Sequence, residues 1–201
     1  DRIIPVVEKI KNEVECLISI DTYKADVASE AIKYGANIIN DITGLTYDPD
    51  MIDLVVKNNT PVILMHMQGN PKSMQKNPSY DNVIDEISTF FKKQIEKLNI
   101  KGFPLDKIIL DPGIGFGKTL QHNLKILKNI DIICNLGHHT LIGTSRKSFI
   151  DDILNCPPEK RLEGTISSNL YAIIKGVKII RVHDVLESRK ALTVLEKILK
   201  A

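Results

Sequence analysis

The chain has 201 residues, of which 43% are hydrophobic and 26% charged, with a formal net charge of +2. That balance excludes disordered, collagen-like and membrane-embedded classes, and a charge so close to zero excludes an electrostatic nucleic-acid binder. With no Trp and only 5% aromatic residues, the stacking platforms needed to hold single strands are scarce as well.

A chain of this length buries roughly 70% of its unfolded surface, so neither disulfides nor metals are needed to hold it. No apolar run approaches the roughly 18 residues of a membrane span. Cys16, Cys134 and Cys156 are odd in number, far apart and without a CxxC pair, as expected of a reducing, cytoplasmic protein. No linker or low-complexity tract divides the sequence, so residues 1–201 are expected to form one domain.

Taken in order, Ile3–Ile10 fits an amphipathic helix. A near-continuous apolar run, Leu17–Ile20, then ends at Asp21 and Thr22, and a helical pattern follows over Lys24–Tyr34. Asp21 suits a carboxylate that accepts from an amidine-like heterocycle edge, although a helix N-cap is the bland alternative. The second run, Asn37–Asn40, carries an amide and an acid at its end, Asn40 and Asp41, before a helix over Asp50–Lys57. An amide presents a donor and an acceptor together, useful against a ring with both kinds of edge; it also ties down loops.

Val62–Met65 is the third run, followed by His66, Met67 and a long irregular stretch, Gln68–Tyr80. That stretch exceeds a routine βα turn and is a candidate binding loop. Met65 fits core filler as well as a ligand contact, and His66 lacks partners at zinc-ligand spacing. A helix over Asp81–Leu98 leads to the fourth run, Lys107–Leu110, and to Asp111-Pro-Gly-Ile-Gly-Phe-Gly-Lys118. Its glycines permit close backbone approach and an anion nest. Pro112 stands where a P-loop needs its first glycine, and GxGxG is not the dinucleotide spacing GxGxxG.

After a helix over Gln121–Ile130, the run Thr140–Ile142 precedes Gly143-Thr-Ser-Arg-Lys-Ser148. Two cations at a helix start oppose the helix dipole, so an anion or ring carbonyl is expected to stabilise them. Glu159–Lys175 reads as helix and Val177–Arg181 as the last run, closing on Arg181 and His183. Strand alternation would put those two on one side, where they could clamp a phosphate; a surface Arg–Asp pair is the alternative. In the final helix, Leu186–Leu199, the residues Leu192, Leu195 and Ile198 line one face, with Lys and Glu opposite.

Repeated βα units with no hairpin signal require a mainly parallel sheet. Polar residues stand at the C-terminal ends of all six runs, which favours a TIM (β/α)8 barrel over a doubly wound sheet with one or two crevices. Only six of the eight βα units are present, and the length falls short of the roughly 250 residues of a typical barrel. The convergence of an amide, carboxylates, a Lys, an Arg–His pair and a glycine loop on one rim describes a pocket for a polar heterocycle bearing an anionic group.

The strings SIDT (19–22), GANIINDI (35–42), LMHMQGNPKSMQ (64–75), DPGIGFGK (111–118), GTSRKS (143–148), RLEGT (161–165) and RVHDV (181–185) strongly resemble the dihydropteroate synthase family, in family order across essentially the whole chain. The resemblance implies a TIM barrel that joins 4-aminobenzoate to (7,8-dihydropterin-6-yl)methyl diphosphate. It implies that Asp21, Asn40, Asp111 and Lys147 hold the pterin edge, while Met65 and Gly143 pack the pterin slot. Ile42 is carried over as a further substrate contact. Arg181 and His183 would bind diphosphate and, with Lys147, carry catalysis. Phe116, Lys147 and Ser148 would border the aminobenzoate site, where sulfonamides compete. It further implies a homodimer and a Mg²⁺ ion whose principal ligand is an Asn of the first βα loop. The family strings NVTPDSFSDGG and ESTRPG do not occur here. The sequence opens at Asp1 rather than Met, so a chain trimmed of its first two βα units is the expectation, and none of its own residues is expected to ligate the metal. The rival readings are a pterin-binding methyltransferase domain and a non-catalytic pterin-binding fragment.

Overall fold

A computed structural model describes residues 3–70 and 73–201. Helix α1 (Ile4–Glu13) precedes six βα units. These are β1 (Ser19–Asp21) with α2 (Ala25–Lys33), β2 (Ile38–Asp41) with α3 (Met51–Asn58), and β3 (Val62–Met65) with α4 (Val83–Ile100). Then come β4 (Ile108–Asp111) with α5 (Leu120–Lys128) and α6 (Ile130–Cys134), β5 (His139–Ile142) with α7 (Ser148–Leu154) and α8 (Leu162–Ile174), and β6 (Ile179–Ile180) with α9 (Val185–Leu199). All neighbouring strands are parallel, in the order β1-β2-β3-β4-β5-β6. The sheet curls far enough for one side chain to span its two edges at the rim, where Arg181, just past β6, donates to Asp21 of β1 at 2.7 Å. This is six-eighths of a TIM barrel, as the βα alternation predicts.

Strand alternation divides the core in two. Side chains of Ile39, Val62, Leu64, Ile108, Leu110 and Ile142 face outward into a large helix-covered cluster with Ile87, Phe91 and Leu98 of α4. Those of Ile63, Ile109 and Leu141, with Ile38 and Ile179 beside them, face inward as a small second cluster. Each fully buried Leu, Ile or Phe contributes roughly 1.5–3 kcal/mol, so the outer cluster carries most of the stability. The inner cluster forms an apolar floor.

Two sequence expectations are corrected. The region expected as one helix over Glu159–Lys175 begins instead with a 3-10 turn, Pro158–Lys160, separated from α8 by Arg161, whose φ −102 and ψ 14 leave the helical path. The last strand is only Ile179–Ile180, although the Arg181 N–H still donates to Ile142 O at 2.9 Å. On α9, Leu195 is buried but Ile198 is 65% exposed; α9 packs against α8, and this leaves its final turn uncovered.

Candidate active site

The inward parity that builds the floor places the next inward residue of every strand at its C-terminal end: Asp21, Asn40, Met65, Asp111, Gly143 and Arg181. A cavity of about 320 Å³ lies between them and the floor, lined by Asp21, Asn40 and Arg181 above and by Ile63, Ile109 and Leu141 below. Asn40 Nδ2 donates to Asp21 Oδ1 at 2.7 Å. The Asn40 side-chain oxygen is buried and has no partner among the described residues. An orphaned acceptor in this position costs about 1–3 kcal/mol, and a ligand N–H would recover it. Asp41, one residue on, faces away and anchors a turn by accepting from the Thr43 N–H and hydroxyl, both at 2.7 Å, and from the Leu45 N–H at 3.2 Å. Ile42, which follows, is half-buried.

Asp111 closes β4 beneath the glycine loop and accepts from the Gly113 N–H at 2.8 Å. Burial raises its pKa, and the charge of Lys147 is the largest opposing influence. Gly113 has φ +69, and a Cβ there would lie 2.1 Å from His66 O, so only glycine lets the loop press onto the end of β3. Lys118 seals the contact from below. Its buried ammonium donates to Phe116 O at 2.9 Å and His66 O at 3.2 Å, and lies 3.2 Å from His66 Nδ1. Burial pushes Lys118 down to about 7 and His66 down to about 3. The candidate loop Gln68–Tyr80 folds over this loop: Gln75 donates to Gly115 O, and Tyr80 OH to Gly117 O at 2.9 Å. Pro71 and Lys72 of that segment lie outside the described residues.

From the far side Lys147 reaches in, donating to Ile114 O with its ammonium 4.8 Å from the Phe116 ring centroid. A cation over an aromatic face is attracted by the ring quadrupole. Burial lowers Lys147 to about 8 against the opposing pull of Asp111, while Arg181 adds to the lowering. Gly143 keeps the space between Arg181 and Lys147 open, because a Cβ there would lie 3.8 Å from Arg181 Cβ and from Lys147 Nζ. Ser148 is exposed at the start of α7. His183 Nδ1 lies 2.8 Å from Ser145 Oγ. Arg181 and His183 therefore flank the same rim with different neighbours, and the Arg–Asp pair foreseen as an alternative does form, with Asp21.

All the residues expected at the rim thus lie on the C-terminal side of one sheet. Sequence reasoning assigned no role to Lys118, Gln75, Tyr80 or Asn123, whose Oδ1 accepts from the Gly115 N–H at 2.8 Å. Lys118 could have been found from its place in the glycine motif.

An apolar floor, a buried acid and amide, and cations at the mouth of a parallel barrel define an enzyme site for a polar heterocycle that bears an anion. The family described as pterin binding enzyme matches residues 1–183. The dihydropteroate synthase of Escherichia coli K12 is 44% identical over 200 residues, covering 100% of this chain and 71% of that protein. A crystal structure of Yersinia pestis dihydropteroate synthase in a sulfonamide drug complex superposes with a TM-score of 0.96 at 40% identity, over 100% of this chain and 73% of that one. A clostridial dihydropteroate synthase solved in the presence of pteroic acid gives 0.92 at 43% identity, over 98% and 73%. The chain belongs to the dihydropteroate synthase family of pterin-binding enzymes, and its relatives there are transferases of folate biosynthesis.

Proposed function

We propose that the chain condenses 4-aminobenzoate with (7,8-dihydropterin-6-yl)methyl diphosphate to give 7,8-dihydropteroate and diphosphate. The observation that carries this reading is the unpartnered, buried Asn40 side-chain oxygen beside Asp21, in one rim with buried Asp111. That edge of acceptors matches the N–H and amino groups of a pterin. Lys147 donates to the ring's oxygen or nitrogen acceptors, and Met65 and Gly143 leave a flat slot. Phe116, Lys147 and Ser148 border the aminobenzoate, where a sulfonamide competes, and Ile42 lies at the slot's edge.

In the reaction the bond between the pterin's methylene carbon and the diphosphate oxygen breaks, and the electron pair leaves with diphosphate. The amine nitrogen of aminobenzoate forms the new C–N bond and gives up one proton. No covalent nucleophile is needed. The protein's work is to orient two rings and stabilise a departing anion, with Arg181 and His183 as donors to the diphosphate. Arg181 is already held by Asp21, which fixes its planar fork at the mouth.

The resemblance implies Mg²⁺, but the described residues do not build a site for it. No three His, Cys, Asp or Glu residues converge among them, and Asp21 and Asp184 are each bound to an arginine. No step here is routed through the ion. A homodimer belongs to the same proposal. It is supported by an apolar groove of about 530 Å³ between α5, α7 and α8, beside which Ile153, Leu154 and Tyr171 are exposed. So does a cytoplasmic setting, supported by free thiols at all three cysteines. Among the described residues no helix is long and apolar enough to cross a membrane.

The test is diphosphate release from the two substrates, with calorimetric titration of pteroic acid. Release should be inhibited by a sulfonamide competitively with aminobenzoate. Asn40→Ala and Arg181→Ala should each lower turnover efficiency roughly 10- to 100-fold, the loss typical of a hydrogen bond to a charged or buried partner. Binding of pteroic acid with no release would make this a pterin-binding module, and no binding would end the pterin reading. No observation favours the methyltransferase alternative.

A further inference from the structure

In the RLEGT segment (161–165), two side chains, Arg161 and Thr165, act on a single residue outside the polar rim's ligand-facing set. Arg146 has φ +57, a left-handed conformation that costs a non-glycine residue of order 1 kcal/mol and persists only where its surroundings impose it. Here they do so at three points. The Arg146 N–H donates to Thr165 Oγ1 at 3.1 Å, and Arg161 Nη1 donates to Arg146 O at 2.9 Å. The Arg146 guanidinium forms a two-point pair with the Asp184 carboxylate.

Arg161 is itself fixed. It is 7% exposed, donates to Cys156 O at 3.0 Å and pairs with Asp151 at 3.0 Å. Gly164 allows α8 to come this close, because a Cβ there would lie 2.5 Å from Ile150 of α7. Further along the same helix, Ser168 Oγ donates to Thr144 Oγ1 at 2.9 Å, and Thr144 Oγ1 donates to Asn169 Oδ1 at 2.7 Å. The first two turns of α8 therefore grip the Gly143–Lys147 turn from behind.

The left-handed residue is flanked by the two that face the site. Ser145 lies against His183, and Lys147 reaches Ile114 O and the Phe116 ring. If Arg146 relaxed to a right-handed or extended conformation, the chain on either side of it would be redirected. We propose that Arg161 and Thr165 are positioning residues that hold Arg146 left-handed, so that Ser145 and Lys147 are aimed together into the substrate cleft. The inference rests on the functional reading above for what the cleft binds, and on geometry alone for how the turn is held.

The test uses the full chain and four variants: Thr165→Val, Arg161→Ala, Arg146→Gly and the Arg161→Ala/Arg146→Gly double variant. The first readout needs no ligand. It is the NMR titration of the Lys147 side chain, whose facing and coupled groups (Asp111, Arg181, Lys118, Ile114 O and the Phe116 ring) are unchanged in every variant. Lys147 titrates near 8 in the parent. It should rise toward the ordinary lysine range in Arg161→Ala, rise less in Thr165→Val, and fall back in the double variant, because glycine adopts a positive φ without a clamp.

The second readout is calorimetric binding of pteroic acid and of inorganic diphosphate. Binding should weaken about tenfold or more in Arg161→Ala, the scale of loss that misplacement of a positioned group brings, and recover at least threefold in the double variant. Thermal melting separates a misfolded variant from a misaimed one, and Thr165→Val, which keeps the side-chain volume, carries the test if Arg161→Ala does not fold. Folded Thr165→Val and Arg161→Ala chains with unchanged Lys147 titration would overturn the proposal, as would absence of any recovery from glycine at 146. If the parent binds neither probe while the titrations shift as expected, the pterin reading fails and the positioning role stands.

Discussion

Lys118 shows how burial and charge are balanced at a single residue. Its ammonium is enclosed by two carbonyl oxygens and the His66 ring, with no carboxylate among the described residues in hydrogen-bond contact. The folded state therefore releases its proton near 7, whereas the unfolded chain holds it to the ordinary lysine value of 10.5. Between those limits the unfolded state binds more protons, so this residue makes the protein more stable as pH rises and less stable as it falls toward 7. Lys147 acts with the same sign from about 8 upward. We expect the urea stability of the parent relative to Lys118→Met to increase between pH 7 and pH 9. The slope is bounded by about 1.4 kcal/mol per pH unit for one proton, and a flat difference would show that Lys118 stays charged.

Among the elements, the glycine loop after β4 is built for contact rather than freedom. Gly113→Ala meets both a positive φ and a carbonyl oxygen 2.1 Å from the new Cβ, whereas Gly102 has a similar φ of +74 but nothing within 4 Å. Gly102→Ala should cost about 1 kcal/mol from backbone strain alone. Gly113→Ala should cost about 2–4 kcal/mol, with overpacking added, and should also weaken sulfonamide binding because Phe116 hangs on the same loop. Paired thermal melts and titrations check both. The loop could be seen in the sequence as a run of glycines after an apolar strand, but its purpose could not: the atom that demands glycine, His66 O, comes from another βα unit.

For the whole molecule, the six strands and their polar ends could be read directly, because parity and βα alternation are local signals. Helix α6 could not, and of α7 only the start at Arg146–Lys147 could, because at 5 and 7 residues they are too short for helical periodicity to emerge. The exposed groove beside Ile153, Leu154 and Tyr171 leads to a prediction at this scale. Sedimentation should show a dimer at micromolar concentration, and Tyr171→Glu should convert it to monomer without lowering the monomer's melting temperature by more than a few degrees, since Tyr171 is 42% exposed. A parent that sediments as monomer would remove the dimer from the proposal.

By itself the sequence determined the parallel βα architecture, the family, and which residues stand at the strand ends. Each of these depends on a side chain's place within its own short segment. Only the tertiary structure decided how those residues are paired and aimed. Arg181 meets Asp21 across 160 positions of chain, Lys118 loses its water beneath a loop it helps to hold, and α8 keeps Arg146 left-handed. The physical reason is that hydrogen-bond partners and desolvation arise from elements brought together by packing, and the strength of a charge or the direction of a turn depends on those neighbours more than on the residue's own identity.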